Sequence, residues 1–271
     1  MGAVQAWSWI NHHRWLSVVF LAIVVLCTAG GTCWAVFFRT VASPVSLRAA
    51  LRLYKRDQAP TTSSPTSGSF ASGVFAYRST GGESLSLLDQ SRSFPSRTDM
   101  VVAPGSGASA GCSVVEWVPL VQHTETTTAC PAPGHAQRVS DLVTFEQISG
   151  TTTTTVVDCP ATAYLIPPLA VPGTRWSATC HQVSPAENVA LTGEVLPPAT
   201  IDVDGTPLQT LHVRLTLQFA GAVSGTSPTD YWISVSKGLI VRQLESAQVT
   251  QGGVHYTEHM DVQLSSLTPA R

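Results

Sequence analysis

The stretch Trp15–Phe38, WLSVVFLAIVVLCTAGGTCWAVFF, constrains this chain most, because none of its 24 residues carries a charge. As a helix it would be about 36 Å long, enough to cross a hydrocarbon core with some tilt. Trp15, Trp34, Phe37 and Phe38 sit at its ends, where aromatic rings favour the interface, and Arg14 and Arg39 bracket it. The run is too long for the apolar region of a signal peptide, and no small-x-small cleavage site suited to it follows. Neither Cys27 nor Cys33 has the neighbours that a lipoprotein signal requires. The expectation is an uncleaved transmembrane helix over 15–38, with the lipid bilayer as its partner.

The flanks disagree about orientation. Arg14 lies on one side, whereas Arg39, Arg48, Arg52, Lys55 and Arg56 lie on the other. Counted alone, these charges would leave the large domain in the cytoplasm. Two plausible disulfide pairs, a Ser/Thr/Pro stalk and a charged fraction of only 12% argue the opposite. Long domains also translocate largely regardless of charge. The expectation is a single-pass protein of the cell membrane with a short cytoplasmic segment, 1–14, and its C-terminal domain outside.

Beyond the span, 39–57 reads as a basic juxtamembrane helix. Leu47, Leu51 and Tyr54 recur at helical spacing, and Ser43 or Ser46 is placed to cap it. Such a helix can lie on anionic headgroups or act as a solvated spacer. Residues 58–73 form a Ser/Thr/Pro-rich linker.

From 74 to 271 the signals are those of strands. Val74–Ser79 and Ser84–Leu88 flank Thr80-Gly81-Gly82-Glu83, which reads as a hairpin turn. Val114–His123 and Thr124–Cys130 read as two strands, and Thr151–Asp158 is rich in β-branched residues. Over Leu208–Phe219, Leu211, Val213, Leu215, Leu217 and Phe219 alternate with polar residues. Tyr231–Val235 and Leu239–Leu244 flank the turn Ser236-Lys237-Gly238, and Val254–Leu264 alternates again. Ten to twelve strands are expected. The fold class is mainly β: an N-terminal transmembrane helix followed by one antiparallel curved sheet, a half-barrel or sandwich.

Cys112, Cys130, Cys159 and Cys180 fall in this domain, and four cysteines allow three pairings. Cys112–Cys130 and Cys159–Cys180 are favoured, since each closes one hairpin-like excursion. A zinc site built on them lacks any C-x-x-C or clustered Cys/His spacing.

Two motifs suggest chemistry. Gly107-Ala108-Ser109-Ala110-Gly111 matches the G-x-S-x-G nucleophile elbow, which needs a strand-to-helix turn over a parallel sheet. The residues after Ser109 read as a strand, so Ser109 is held only as the nucleophile of an alternative serine-hydrolase reading. His255-Tyr256-Thr257-Glu258-His259 matches an inverted zinc-protease motif. On a strand its two histidines would stand about 13 Å apart, too far for one ion. No catalytic residue, cofactor or metal ligand is assigned, and a net charge of −2 leaves no basic footprint for nucleic acid.

Gly73 to Tyr77, Pro172-Gly173-Thr174-Arg175-Trp176, and Tyr231-Trp232 with Gly238-Leu239-Ile240-Val241-Arg242 resemble segments in the half-barrel sheets of bacterial envelope lipoprotein carriers. The whole chain resembles single-pass membrane proteins of actinobacteria. The resemblance implies a curved antiparallel sheet able to hold an acyl chain. The expected function is a non-enzymatic envelope protein that binds a lipid, a wall polymer or another protein; a purely structural stalk is a further alternative.

Overall fold

The computed structural model describes residues 42–57, 69–86, 90–148 and 151–270. The span expected over 15–38 lies outside them, as does most of the expected linker. Among the described residues no helix is long and apolar enough to cross a membrane. Residues 42–146 and 153–270 form one compact unit.

The basic helix forms as α1, Leu47–Asp57. Ser46 caps it, accepting from the Ala49 backbone N–H through its carbonyl at 2.8 Å and its hydroxyl at 3.3 Å. Its apolar side is satisfied within the domain. Ala50 is fully buried against Val74, Val101 and Val118, with Leu51, Leu53 and Tyr54 packed around them.

Among the described residues fourteen strands follow. They are β1 (Gly73–Leu85), β2 (Gln90–Ser93), β3 (Arg97–Pro104), β4 (Ser113–Leu120), β5 (His123–Ala132), β6 (Ala136–Ile148) and β7 (Thr151–Asp158). After them come β8 (Tyr164–Ile166), β9 (Arg175–Gln182), β10 (Glu187–Val203), β11 (Thr206–Ala220), β12 (Val223–Ser234), β13 (Leu239–Gln251) and β14 (Val254–Leu264). All belong to one antiparallel sheet in which nearly every strand pairs with its chain neighbour. β14 also pairs with β1, from Tyr77 opposite Leu264 to Leu85 opposite Tyr256, so the last strand lies beside the first. That pairing covers edges that would otherwise offer free N–H and C=O groups.

Alternation places the core on one face. Phe75 and Tyr77 of β1, Met100 and Val102 of β3, and Trp117 of β4 point into the main cluster. The intervening Val74, Val101 and Val118 meet α1 instead. Burial on both faces accounts for the continuous apolar runs in these strands. The alternation expected in β11 is observed: Val213 and Leu215 are buried, with Leu211, Leu217 and Phe219 packed against the core.

Three expectations need correction. Thr80–Glu83 is no hairpin turn, because β1 runs straight through it. Gly81 takes φ +122°, and a Cβ there would meet His259 O at 1.9 Å; one on Gly82 would meet Arg92 O at 2.3 Å. The glycine pair therefore lets two neighbouring backbones close on β1 as its second partner changes from β3 to β2. The turn expected at His123–Thr124 falls earlier, after Leu120, so His123 opens β5. The strand count was low mainly because β2, β3, β9 and β10 carry weak signals. β10 contains Pro197 and Pro198, which argue against a strand; they sit in a bulge between Leu196 and Ala199, where a missing N–H costs no ladder bond.

Both favoured disulfides form, Cys112–Cys130 and Cys159–Cys180. The second spans a thin seam of the sheet. β7 and β9 share only the pairs Val157–Gln182 and Asp158–His181, immediately beside the bridge. Its separation of 21 residues corresponds to about 3 kcal/mol in the chain-entropy model. Replacing Cys159 and Cys180 by serine should therefore lower stability by roughly 2–5 kcal/mol. Urea unfolding followed by tryptophan fluorescence checks this, and an unchanged midpoint would mean that the seam holds without its bridge.

Candidate functional site

The core face of this sheet is not uniformly apolar. β1 brings Glu83 inward, β5 brings His123 and Glu125, β6 brings Glu146, β13 brings Glu245, and β14 brings Tyr256 and Glu258. Register explains the convergence. Glu83 lies directly opposite Glu258 across β1 and β14, and opposite Arg92 across β1 and β2. His123 lies opposite Glu146 across β5 and β6. The two strand sets meet at the imidazole.

His123 is 0% exposed and Glu83 and Glu258 are 4%. The Nδ1 of His123 stands 3.2 Å from Glu83 Oε2, and its Nε2 stands 3.4 Å from both Glu125 Oε1 and Glu258 Oε1. The Glu125 contact has hydrogen-bond geometry. His123 Nδ1 and Glu258 Oε1 are held by these ion-pair contacts without a well-aligned hydrogen bond. Arg92 donates to Glu83 through Nε and to the Gln122 carbonyl through Nη2. Trp117 and Phe94 wall the imidazole, with ring centroids at 5.8 and 5.3 Å from it. The Trp117 indole N–H donates to Thr98 Oγ1, which fixes that wall.

Two glutamates placed opposite one another repel if both are ionised. The Tyr256 hydroxyl bears on this directly. It lies 2.8 Å from Glu83 Oε2 and 2.7 Å from Glu258 Oε2, yet has one proton to donate. One carboxyl must then carry its own proton. Burial pushes Glu258 well above the usual carboxylate range, and the positive His123 offsets only part of that. Burial acts on Glu83 as well, but the hydrogen bond and charge of His123, with Arg92, hold it below the usual value. Burial would lower His123; Glu258, Glu125 and Glu83 reverse that and raise it well above its ordinary value. Burial also raises Glu146, and it pushes Glu245 up to about 8 even though Ser227 and Thr229 donate to it. Burial and these contacts together favour a positive His123 against an ionised Glu83, with the proton of the opposed pair on Glu258.

Four ligand atoms, one each from Glu83, His123, Glu146 and Glu258, lie within 4.8 Å of one another. A cleft of about 370 Å³ is lined by residues of these strands, among them Glu83, Arg92 and Glu258.

The residues singled out in the sequence lie elsewhere, with one exception. Ser109 ends a short 3-10 turn, Gly107–Ser109, between β3 and β4. Among the described residues no histidine or carboxylate hydrogen-bonds to its hydroxyl. The four domain cysteines are spent in disulfides. His255 and His259 are exposed on the outer face of β14, as strand alternation requires, while Tyr256 and Glu258 between them face inward. Of that motif's histidines and glutamate, only Glu258 reaches the cluster. A usable signal was there: a glutamate on the apolar face of a strand, between Tyr256 and Met260. His123 and Glu125, two apart on one strand, repeat it.

No protein-family model matches the chain, and no curated protein matches it. Among solved structures, the chain is similar to the hypothetical lipoprotein YmcC from Escherichia coli (K12), at 10% identity and a TM-score of 0.31, over 80% of this chain and 97% of that one.

Glu245 yields a pH prediction. Its folded value of about 8 exceeds the ordinary 4.5, so the folded state holds a proton that the unfolded chain releases across that window. The stability this proton confers is full below pH 4.5 and lost as the pH rises through about 8. Glu245→Gln mimics the protonated form. Between those limits, in chelator, wild type should lose stability relative to this variant. A constant difference in denaturation midpoint across the window would show that Glu245 is ionised throughout.

Proposed function

We propose that this chain is a membrane-anchored, non-enzymatic binding or interaction protein of the cell envelope. An N-terminal helix over 15–38 holds it in the bilayer, and the β domain stands outside the cytoplasm. The single observation that carries this reading is the pair of disulfides. Both bridges join strands or strand ends of the folded sheet, so their cysteines are brought together by folding and stay oxidised where no thiol buffer reduces them. The bilayer is then the first partner. The second is a lipid, a wall polymer or another protein, met by the exposed faces of a curved, half-barrel-like sheet. α1 supports the same arrangement, since its docking on β1, β3 and β4 ties the domain to the chain that leaves the membrane.

Thiol labelling of intact cells tests compartment and oxidation together. In a variant carrying Cys27→Ser and Cys33→Ser, an impermeant maleimide should label the protein only after treatment with an impermeant reductant. Labelling that requires lysis but no reductant would place reduced cysteines inside the cell and end the proposal.

A further inference from the structure

The cluster inside the sheet has more carboxyl groups than its own cations can match, and two of its buried donor atoms lack a well-aligned hydrogen bond. Glu83, Glu125, Glu146 and Glu258 surround one imidazole, with Arg92 on the Glu83 side. His123 Nδ1 and Glu258 Oε1 are buried among these donors, in ion-pair contact but without a well-aligned hydrogen bond. A buried polar atom without a well-aligned hydrogen bond costs stability, so two such atoms in one place call for an explanation.

We propose that Glu83, His123, Glu146 and Glu258 form a four-coordinate site for a first-row divalent cation of the zinc type. The donor spacing supports this. Metal–ligand bonds of about 2.0–2.2 Å to nitrogen and oxygen imply tetrahedral edges of roughly 3.3–3.6 Å. His123 Nδ1 stands 3.2 Å from Glu83 Oε2, already near such an edge, and the four donor atoms all lie within 4.8 Å of one another. One imidazole with three carboxylates suits zinc, cobalt, iron or manganese; the absence of thiolate or thioether donors in the set disfavours monovalent copper. Tyr256 bonds to both Glu83 and Glu258, and Arg92 bonds to Glu83, so the ligands have outer partners that orient them. Trp117 and Phe94 exclude water on the imidazole side.

The cation would do what the protons otherwise do: it would let Glu83 and Glu258 be ionised opposite one another. It would also tie β1 and β14 to β5 and β6 across the interior. With all four protein ligands engaged the site is closed, which is the arrangement of a structural rather than a catalytic ion.

The test uses the full chain in detergent, stripped with chelator, reloaded with Zn2+ and desalted. Elemental analysis should find one retained Zn2+ per chain, and thermal unfolding should shift upward on loading. Cobalt in its place should give the intense visible bands of a four-coordinate nitrogen/oxygen site. Glu258→Gln keeps the shape of the protonated side chain, and so should fold while weakening Zn2+ by more than the about 10–100-fold typical of losing an outer partner. His123→Gln should abolish retention. A control pair, His255→Gln and His259→Gln, should retain the ion, since both side chains lie on the outer face. Loss of retention in that pair alone, weak six-coordinate cobalt bands, or no retained Zn2+ in wild type would each mean an adventitious ion only and overturn the proposal.

Discussion

A histidine with no exposure, placed between glutamates from opposite parts of one sheet, sets the terms for the rest of this domain. Burying ionisable groups is costly unless charge and hydrogen bonds compensate. Here compensation comes from several strands at once. β1 and β14 supply the opposed Glu83 and Glu258, β2 supplies Arg92, β5 supplies His123, and β14 adds the Tyr256 hydroxyl. No two of these strands alone make a tolerable environment. The pairing of β14 with β1 matters for the same reason, since it brings Glu258 opposite Glu83.

Around that centre the structure removes freedom. Gly81 and Gly82 allow His259 and Arg92 backbones to approach β1 where side chains would block them, which sets Glu83 close to both neighbours. Trp117, held by Thr98, and Phe94 close the space beside the imidazole. At the far side of the sheet, where β7 and β9 barely overlap, a disulfide does the work that ladder hydrogen bonds do elsewhere. α1 covers the outer face of β1, β3 and β4, so the strands that carry one side of the site are packed on both faces.

Much of the frame was legible in the sequence. Alternation revealed β11 and β14 because half-buried strands carry a period of two. The cysteine pairs were legible because each closes a local excursion. The basic helix followed from spacing, but its cap stayed open between Ser43 and Ser46 until the structure placed it at Ser46. The failures share one cause. Gly81-Gly82 reads as a turn whenever its neighbours are unknown, and only a backbone passing at contact distance gives it another purpose. Pro197-Pro198 reads as a break unless a bulge is there to receive it. α1 reads as a surface helix unless Val74, Val101 and Val118 are known to face it.

The sequence by itself determined that the chain carries a span-length apolar segment, that the rest is strand-rich, and which side chains share a face on each strand. Those properties depend on neighbours in the chain, whose spacing is set by covalent geometry. Only the tertiary structure decided that Glu83, His123, Glu146 and Glu258 meet, because their positions, up to 175 residues apart in a chain of 271, are joined by register between strands. Register depends on the whole sheet and leaves no mark on any one segment.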